Sequence, residues 1–204
     1  MRSHTSLTLA LLCLAPAAVA ATNAREPLTL QPQSKLWVEG SSTVRDFTCT
    51  STAFATQIQS PVAGAVSAVL AGTKAVESAE LAVPAASLDC KNGKMNEHML
   101  KALKAKDNPT VTFRIKTYQL AKVAGGVDGT ALGELTLGGV TKAITVTAHA
   151  APDADGALRL TGTYELRMTD YGLTPPSLMM GTMKVGDTVK VGFDLLLKGE
   201  APKI

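Results

Sequence analysis

Residues 132–149 read LGELTLGGVTKAITVTAH, and this stretch decides the class of fold. Leu135 and Leu137 alternate with Glu134 and Thr136, and after Gly138-Gly139 the residues Ile144, Val146 and Ala148 alternate with Thr145, Thr147 and His149. A period of two sends successive side chains to opposite faces of a strand, so each run has one dry face and one wet face. Two such runs about a glycine pair predict a hairpin, because glycine supplies the positive φ that tight turns require.

The same pattern continues on both sides. Val111, Phe113 and Ile115 alternate with Thr112, Arg114 and Lys116. Leu158, Leu160, Tyr164, Leu166 and Met168 alternate with polar partners, as do Val189, Val191, Phe193, Leu195 and Leu197. Gly125-Gly126, Asp128-Gly129 and the segment Asp153 to Gly156 supply further turns, so consecutive hairpins predict an antiparallel meander. Weaker strands are expected over Ser34–Val44, Phe47–Gln59, Gly64–Ala71 and Ala75–Val83, after a Pro-containing lead over residues 21–33. One helix is expected over Ser87–Ala105. Met95, Met99, Ala102 and Leu103 share its apolar side, Glu97 and Lys101 are spaced to pair on the wet side, and Asn108-Pro109 ends it. The chain is therefore all-β with one or two short helices, and strands with one dry face each must close on themselves or stack as two sheets.

Of the 204 residues, 46% are hydrophobic and 18% charged, the latter below the roughly 25% of an average soluble protein. A net charge of +3 without any block of five Lys/Arg residues argues against nucleic acid as a partner. Residues 1–20 read as a cleaved secretory signal: Arg2, an apolar run from Leu7 to Val19, and the small-x-small site Ala18-Val19-Ala20. The expected location is the periplasm, and the expected domain spans residues 34–200. Cys13 would leave with the signal. Cys49 and Cys90 then remain as an even pair in an oxidising compartment, which predicts a disulfide, with two buried free thiols as the alternative.

Chemistry has few footholds in this composition. His98 on the helix and His149 on a wet strand face are the imidazoles left after the signal, and both are expected on the solvated surface. No H-x-x-H, H-E-x-x-H, C-x-x-C or G-x-S-x-G string occurs, so no metal, cofactor or catalytic residue is expected. What remains is an extensive dry surface, whose two readings are a lipid-lined tunnel and a filled core. Apolar alternation serves both readings equally and a filled core is the commoner outcome, while the 4% aromatic share and the frequent small residues in the strands tilt toward unfilled room. Met179, Met180 and Met183, in a segment expected as loop, are candidates for a flexible mouth.

Four strings in order carry a resemblance to the YceI-like family of exported lipocalin-like proteins. They are WVEGSSTVRDF at residues 37–47; KMNEHM at 94–99 with Leu103 and NPTVTF at 108–113; LGELTLGGVTK at 132–142; and DYGL at 170–173 with the closing strand from Asp187 to Leu197. The resemblance implies an eight-stranded antiparallel barrel holding an isoprenoid or other long-chain lipid, without catalysis. Exchange of such a chain would bring transient membrane contact, and members associate in pairs, so a homodimer is one expected state. A ligand-free structural or interaction module of the same fold is the alternative. Two departures from the better-known members are the Cys49/Cys90 pair and Tyr171 in place of a common Phe. The apolar phase of each strand nominates Phe47, Phe54, Phe113, Ile115, Leu135, Leu137, Ile144, Val146, Tyr164, Leu166, Met168, Phe193 and Leu195 as the lining.

Overall fold

The structure is a computed structural model that describes residues 26–178 and 181–199. The signal segment, Met179 and Met180 lie outside the described residues. The described residues form eleven strands: β1 (Glu26–Leu30), β2 (Lys35–Ser42), β3 (Asp46–Ser51), β4 (Ala55–Ser60), β5 (Ser78–Pro84), β6 (Thr110–Val123), β7 (Gly126–Leu137), β8 (Val140–Pro152), β9 (Leu158–Arg167), β10 (Ser177–Leu178) and β11 (Met183–Gly199). Two helices are α1 (Ala65–Leu70) and α2 (Gly93–Ala102).

These strands make an antiparallel barrel of eight staves. From β4 the order runs β4-β5-β6-β7-β8-β9-β11, and β1 closes the ring by pairing with both β4 and β11. The first two staves are each broken in the middle. β1 and β2 run in line along the same edge of β11, and β3 and β4 run in line on their far side. β10 only adds two pairs to the start of β11.

Each break has a local cause. Ser34, buried between β1 and β2, bonds the backbone of Leu196 from both sides: its hydroxyl accepts from Leu196 N–H at 2.9 Å and donates to Leu196 C=O at 3.4 Å. Between β3 and β4 the Ser51 hydroxyl accepts from Ala53 N–H at 3.2 Å and is hydrogen-bonded to the Ser87 hydroxyl at 2.6 Å. Hydroxyls near the backbone offer it an alternative to the ladder, and here they turn the chain. The single strand expected over Phe47–Gln59 is thus two strands with different partners, and Phe54 falls in the break. The lead, read without structure, supplies β1, a strand too short for its alternation to stand out.

The segment Gly64–Ala71, expected as a strand, is the helix α1. A short apolar run reads equally as either element. The spacing of its buried residues, Ala65, Val66 and Val69, is helical, and Gly64 and Gly72 bracket it at φ +73° and +83°. α1 closes one end of the barrel, where it packs with Leu28, Val127, Ala150, Leu158 and Leu197. Glu26 ties the plug to β1 by accepting from Ala65 N–H at 3.0 Å.

At the other end α2 leans over the opening. It is shorter than expected, because a 3-10 turn over Ala85–Ser87 and an extended stretch precede it. The Asn92 side chain accepts from Met95 N–H at 3.1 Å and starts the helix. On its wet side Glu97 meets Lys94 at 3.4 Å rather than Lys101. Cys49 of β3 and Cys90 before α2 form the disulfide, beside two backbone bonds between Thr50 and Asp89, both 3.0 Å. The bridge spans 41 residues of sequence, and its loss would raise unfolded-chain entropy by about 4 kcal/mol at room temperature. Cys49→Ser/Cys90→Ser is expected to unfold in denaturant with a stability lower by about 2–4 kcal/mol, measured by equilibrium urea titration against the oxidised protein.

Candidate functional site

The dry faces of all eight staves turn inward, yet side chains do not fill the space they enclose. A cavity of about 760 Å³ extends from the plug to the open end, within the range of ligand sites. Its deep wall includes Leu28, Ile58, Val66, Val69, Leu120 and Leu160. Around its middle stand Leu36, Val38, Leu81, Phe113, Leu135, Val191 and Phe193. The open end is rimmed by Val44, Arg45, Asn92, Lys94, Met95, His98, Met99 and Met183, from the β2–β3 turn, α2 and the start of β11. Val44 is 64% exposed there, an apolar side chain held in water at the rim.

Glycines opposite phenylalanines keep the middle open. Gly40 pairs with Phe47 across β2–β3, and Gly162 pairs with Phe193 across β9–β11. In each pair a Cβ on the glycine would run into the ring. The Phe113 ring likewise lies over Gly133, where an added Cβ would come within 2.6 Å of it. These rings therefore lie along the wall instead of crossing the lumen, a large side chain covering the backbone that a glycine leaves bare. Outside the barrel the same device covers Gly192 with Trp37, whose indole N–H donates to Glu39 at 3.0 Å.

Of the residues nominated from sequence, the structure brings Phe47, Phe113, Ile115, Leu135, Leu137, Ile144, Val146, Tyr164, Leu166, Met168, Phe193, Leu195 and Met183 to this one cavity. Phe54 is not among its walls, because it sits in the break between β3 and β4, where strand alternation no longer sets its direction. Met183 is the first residue of β11 rather than part of a loop. His98, expected at the surface, is half-buried at the rim. His149 stands on the outer wall with its Nδ1 2.7 Å from Asp128.

Several wall residues escaped the reading for identifiable reasons. A bulge between Ile115 and Thr117 reverses the phase of β6, so Tyr118 and Leu120 continue the inner face begun by Phe113 and Ile115. Leu132, opposite that bulge, is 44% exposed. Leu36 and Val38 share one phase of β2, but Trp37 between them is also apolar, so the run Leu36-Trp37-Val38 does not mark which face is dry. Val66 and Val69 were masked by the strand assignment of α1.

After β9 a 3-10 turn over Met168–Tyr171 crosses the rim and buries Tyr171, which is 2% exposed. Asp187 of β11 holds this turn. Its carboxylate accepts from the Thr169 hydroxyl at 2.7 Å and from Thr169 N–H at 2.9 Å, with Arg167 Nε at 3.3 Å. The Thr169 hydroxyl, then its N–H, then Arg167 hold the carboxyl below the usual aspartate range. Burial pushes the Tyr171 phenol up to about 12, with smaller contributions from Tyr164 and Asp170.

A protein-family model, that of the YceI-like domain, matches residues 34–197. Among solved structures, BcnA of Burkholderia cenocepacia superposes with a TM-score of 0.64 at 21% identity, covering 82% of this chain and 99% of its own. A polyisoprenoid binding domain from Saccharophagus degradans gives 0.61 at 14% identity, covering 86% and 98%. The YCEI protein of Campylobacter jejuni gives 0.54 at 16% identity, covering 97% and 94%. The search of curated protein sequences found no match.

Two outcomes follow from this geometry. Gly40→Val is expected to lift the Phe47 ring off the wall and weaken binding of the apolar fluorophore diphenylhexatriene several-fold. Phe47→Ala added to that variant is expected to restore binding, both read by fluorescence titration. Asp187→Asn is expected to lower stability at neutral pH. Since the folded carboxyl is held below its unfolded value of about 3.9, the deficit is expected to stay constant above that pH. It is expected to fade as pH falls through the folded value, where wild type loses the same carboxylate; thermal unfolding across pH 2–7 checks it.

Proposed function

Since the chain belongs to the YceI-like domain family, we propose that it binds a long isoprenoid or related amphipathic lipid in the barrel lumen and carries or stores it in the periplasm. The observation that carries this reading is the apolar cavity of about 760 Å³ running from the α1 plug to the rim. Water finds few hydrogen-bond partners against such a wall, whereas an apolar chain loses its unfavourable hydration there. Each CH₂-sized unit buried contributes about 0.8 kcal/mol relative to water. The open interior favours a ligand over the packed-module alternative. The Saccharophagus degradans domain, described as polyisoprenoid-binding, has the same fold and supports the choice of lipid class. The signal-like residues 1–20 support export, and the disulfide suits an oxidising compartment.

The shape of the site suggests how loading would proceed. One end is plugged, so a chain would pass through the rim between α2, the β2–β3 turn and the start of β11, tail first. The adaptable thioethers of Met95, Met99 and Met183 border that passage. Lys94 and Arg45 at the rim would favour transient contact with an anionic membrane surface during exchange.

Mass spectrometry of organic extracts of the protein, purified from its native periplasm without detergent, is expected to show one isoprenoid chain per protein. Phe113→Asp places an ionisable carboxyl in the middle of the lumen and is expected to cut occupancy at least tenfold in folded protein. An empty wild-type protein that also fails to take up added prenyl lipids would overturn the reading.

A further inference from the structure

The wall has a seam between β8 and β9. The two strands pair from Pro152↔Leu158 to Thr147↔Thr163, and there the ladder stops, although β8 reaches back to Val140 and β9 runs on to Arg167. Beyond this point β8 still pairs fully with β7, and β9 with β11, so each strand is held on one side and parted on the other. A second cavity of about 380 Å³ occupies the seam. Lys142, Glu165, Arg167, Asp170 and Thr188 give it polar walls, while Ile144 and Tyr164 border both this cavity and the lumen.

Tyr171 closes the seam from the 3-10 turn that follows β9. It borders the side cavity, is 2% exposed, and has a buried hydroxyl with no hydrogen-bond partner among the described residues. A buried hydroxyl without a partner gives up its hydration with nothing in return. A phenylalanine would avoid that cost in the same space, so the hydroxyl invites a partner from outside the chain. The charged residues around the cavity balance, Lys142 and Arg167 against Glu165 and Asp170, which favours a neutral polar group over a multiply charged one.

We propose that this seam is the head-group site of the bound amphiphile: a neutral oxygen-bearing head, such as an alcohol or a carbonyl, lies between β8 and β9 and accepts a hydrogen bond from Tyr171, while the tail occupies the lumen. The inference rests on the lumen being the lipid site. The high pKa of the Tyr171 phenol keeps it a donor throughout the physiological range. Below its charged rim the lumen is lined mostly by hydrocarbon, with few polar side chains such as Thr56 and Thr130, and selects chiefly for length and apolarity. The seam then selects among chains by what they carry at one end.

The test measures displacement of diphenylhexatriene from the folded full-length mature protein by two probes: geranylgeraniol, and the oxygen-free hydrocarbon of the same chain. Wild type is expected to prefer the alcohol. Tyr171→Phe is expected to weaken the alcohol about fivefold while leaving the hydrocarbon unchanged. Ala143→Trp, which fills the seam from the outer wall, is expected to do the same, so the conclusion does not hang on one variant. If wild type binds both probes and neither variant alters the alcohol relative to the hydrocarbon, the hydroxyl serves at most a water molecule. In that case the head-group site is overturned while the lumen reading stands. If neither probe displaces the fluorophore from wild type, the lumen reading falls and this inference with it.

Discussion

Three residue pairs, Leu28 with Gly199, Thr29 with Lys198 and Leu30 with Leu197, join the last strand to the first. On its other edge the five-residue β1 meets β4, so this one short element carries the ladder across the closure of the ring. Without it β4 and β11 would present unpaired edges, which invite pairing with other chains and leave an apolar face open to water. Closure also fixes the plug. Glu26 at the start of β1 accepts from the first turn of α1, and Leu28 packs with Val66 and Val69 in the same cluster. The sealed end of the lumen and the closure of the ring by β1 are therefore one construction.

Toward the rim the staves spread, and the ladder fails in two places. β3 has β2 on one side, but on the other only a bridge from Thr50 to Asp89. The disulfide and α2 cover that gap, with Leu88, Cys49 and Cys90 forming a small core of their own. β8 and β9 part at Thr147 and Thr163, and there Tyr171 is the cover. In both places a segment outside the strands replaces hydrogen bonds with packed side chains. Both repairs are pinned by specific bonds: the disulfide at one, and the Asp187–Thr169 pair at the other.

The alternation of LGELTLGGVTKAITVTAH carries the hairpin β7–β8, and the same alternation on either side carries the meander out to β6 and β9 with the inner faces of its strands, because a stave buried on one side must repeat with period two. The lining nominated on that basis converges on one lumen wherever the strand is regular. It misses where the backbone departs from regularity. Phe54 stands in a break made by serine hydroxyls, and Tyr118 and Leu120 lie beyond a bulge that reverses the phase. The pattern predicts a strand where the chain forms α1, since six residues of Ala, Val, Ser and Leu satisfy either period. That the interior is open was beyond composition alone. It depends on register, which sets Gly40 opposite Phe47 and Gly162 opposite Phe193 and so lays the rings along the wall.

An apolar chain gains almost as much free energy in a bilayer as in such a lumen, because each environment removes the same surface from water. Apolar burial therefore makes loading nearly neutral with respect to a membrane, which suits reversible exchange but confers little choice among chains of equal length. Discrimination needs polar groups whose bonds cannot be formed equally well elsewhere. Within this barrel they are concentrated at the rim and at the seam between β8 and β9, while the walls between are mostly hydrocarbon with a few polar side chains such as Thr56 and Thr130. On the proposed reading, the free energy that would select a ligand is concentrated where the strands part, and the paired strands supply the constant background against which that selection would act.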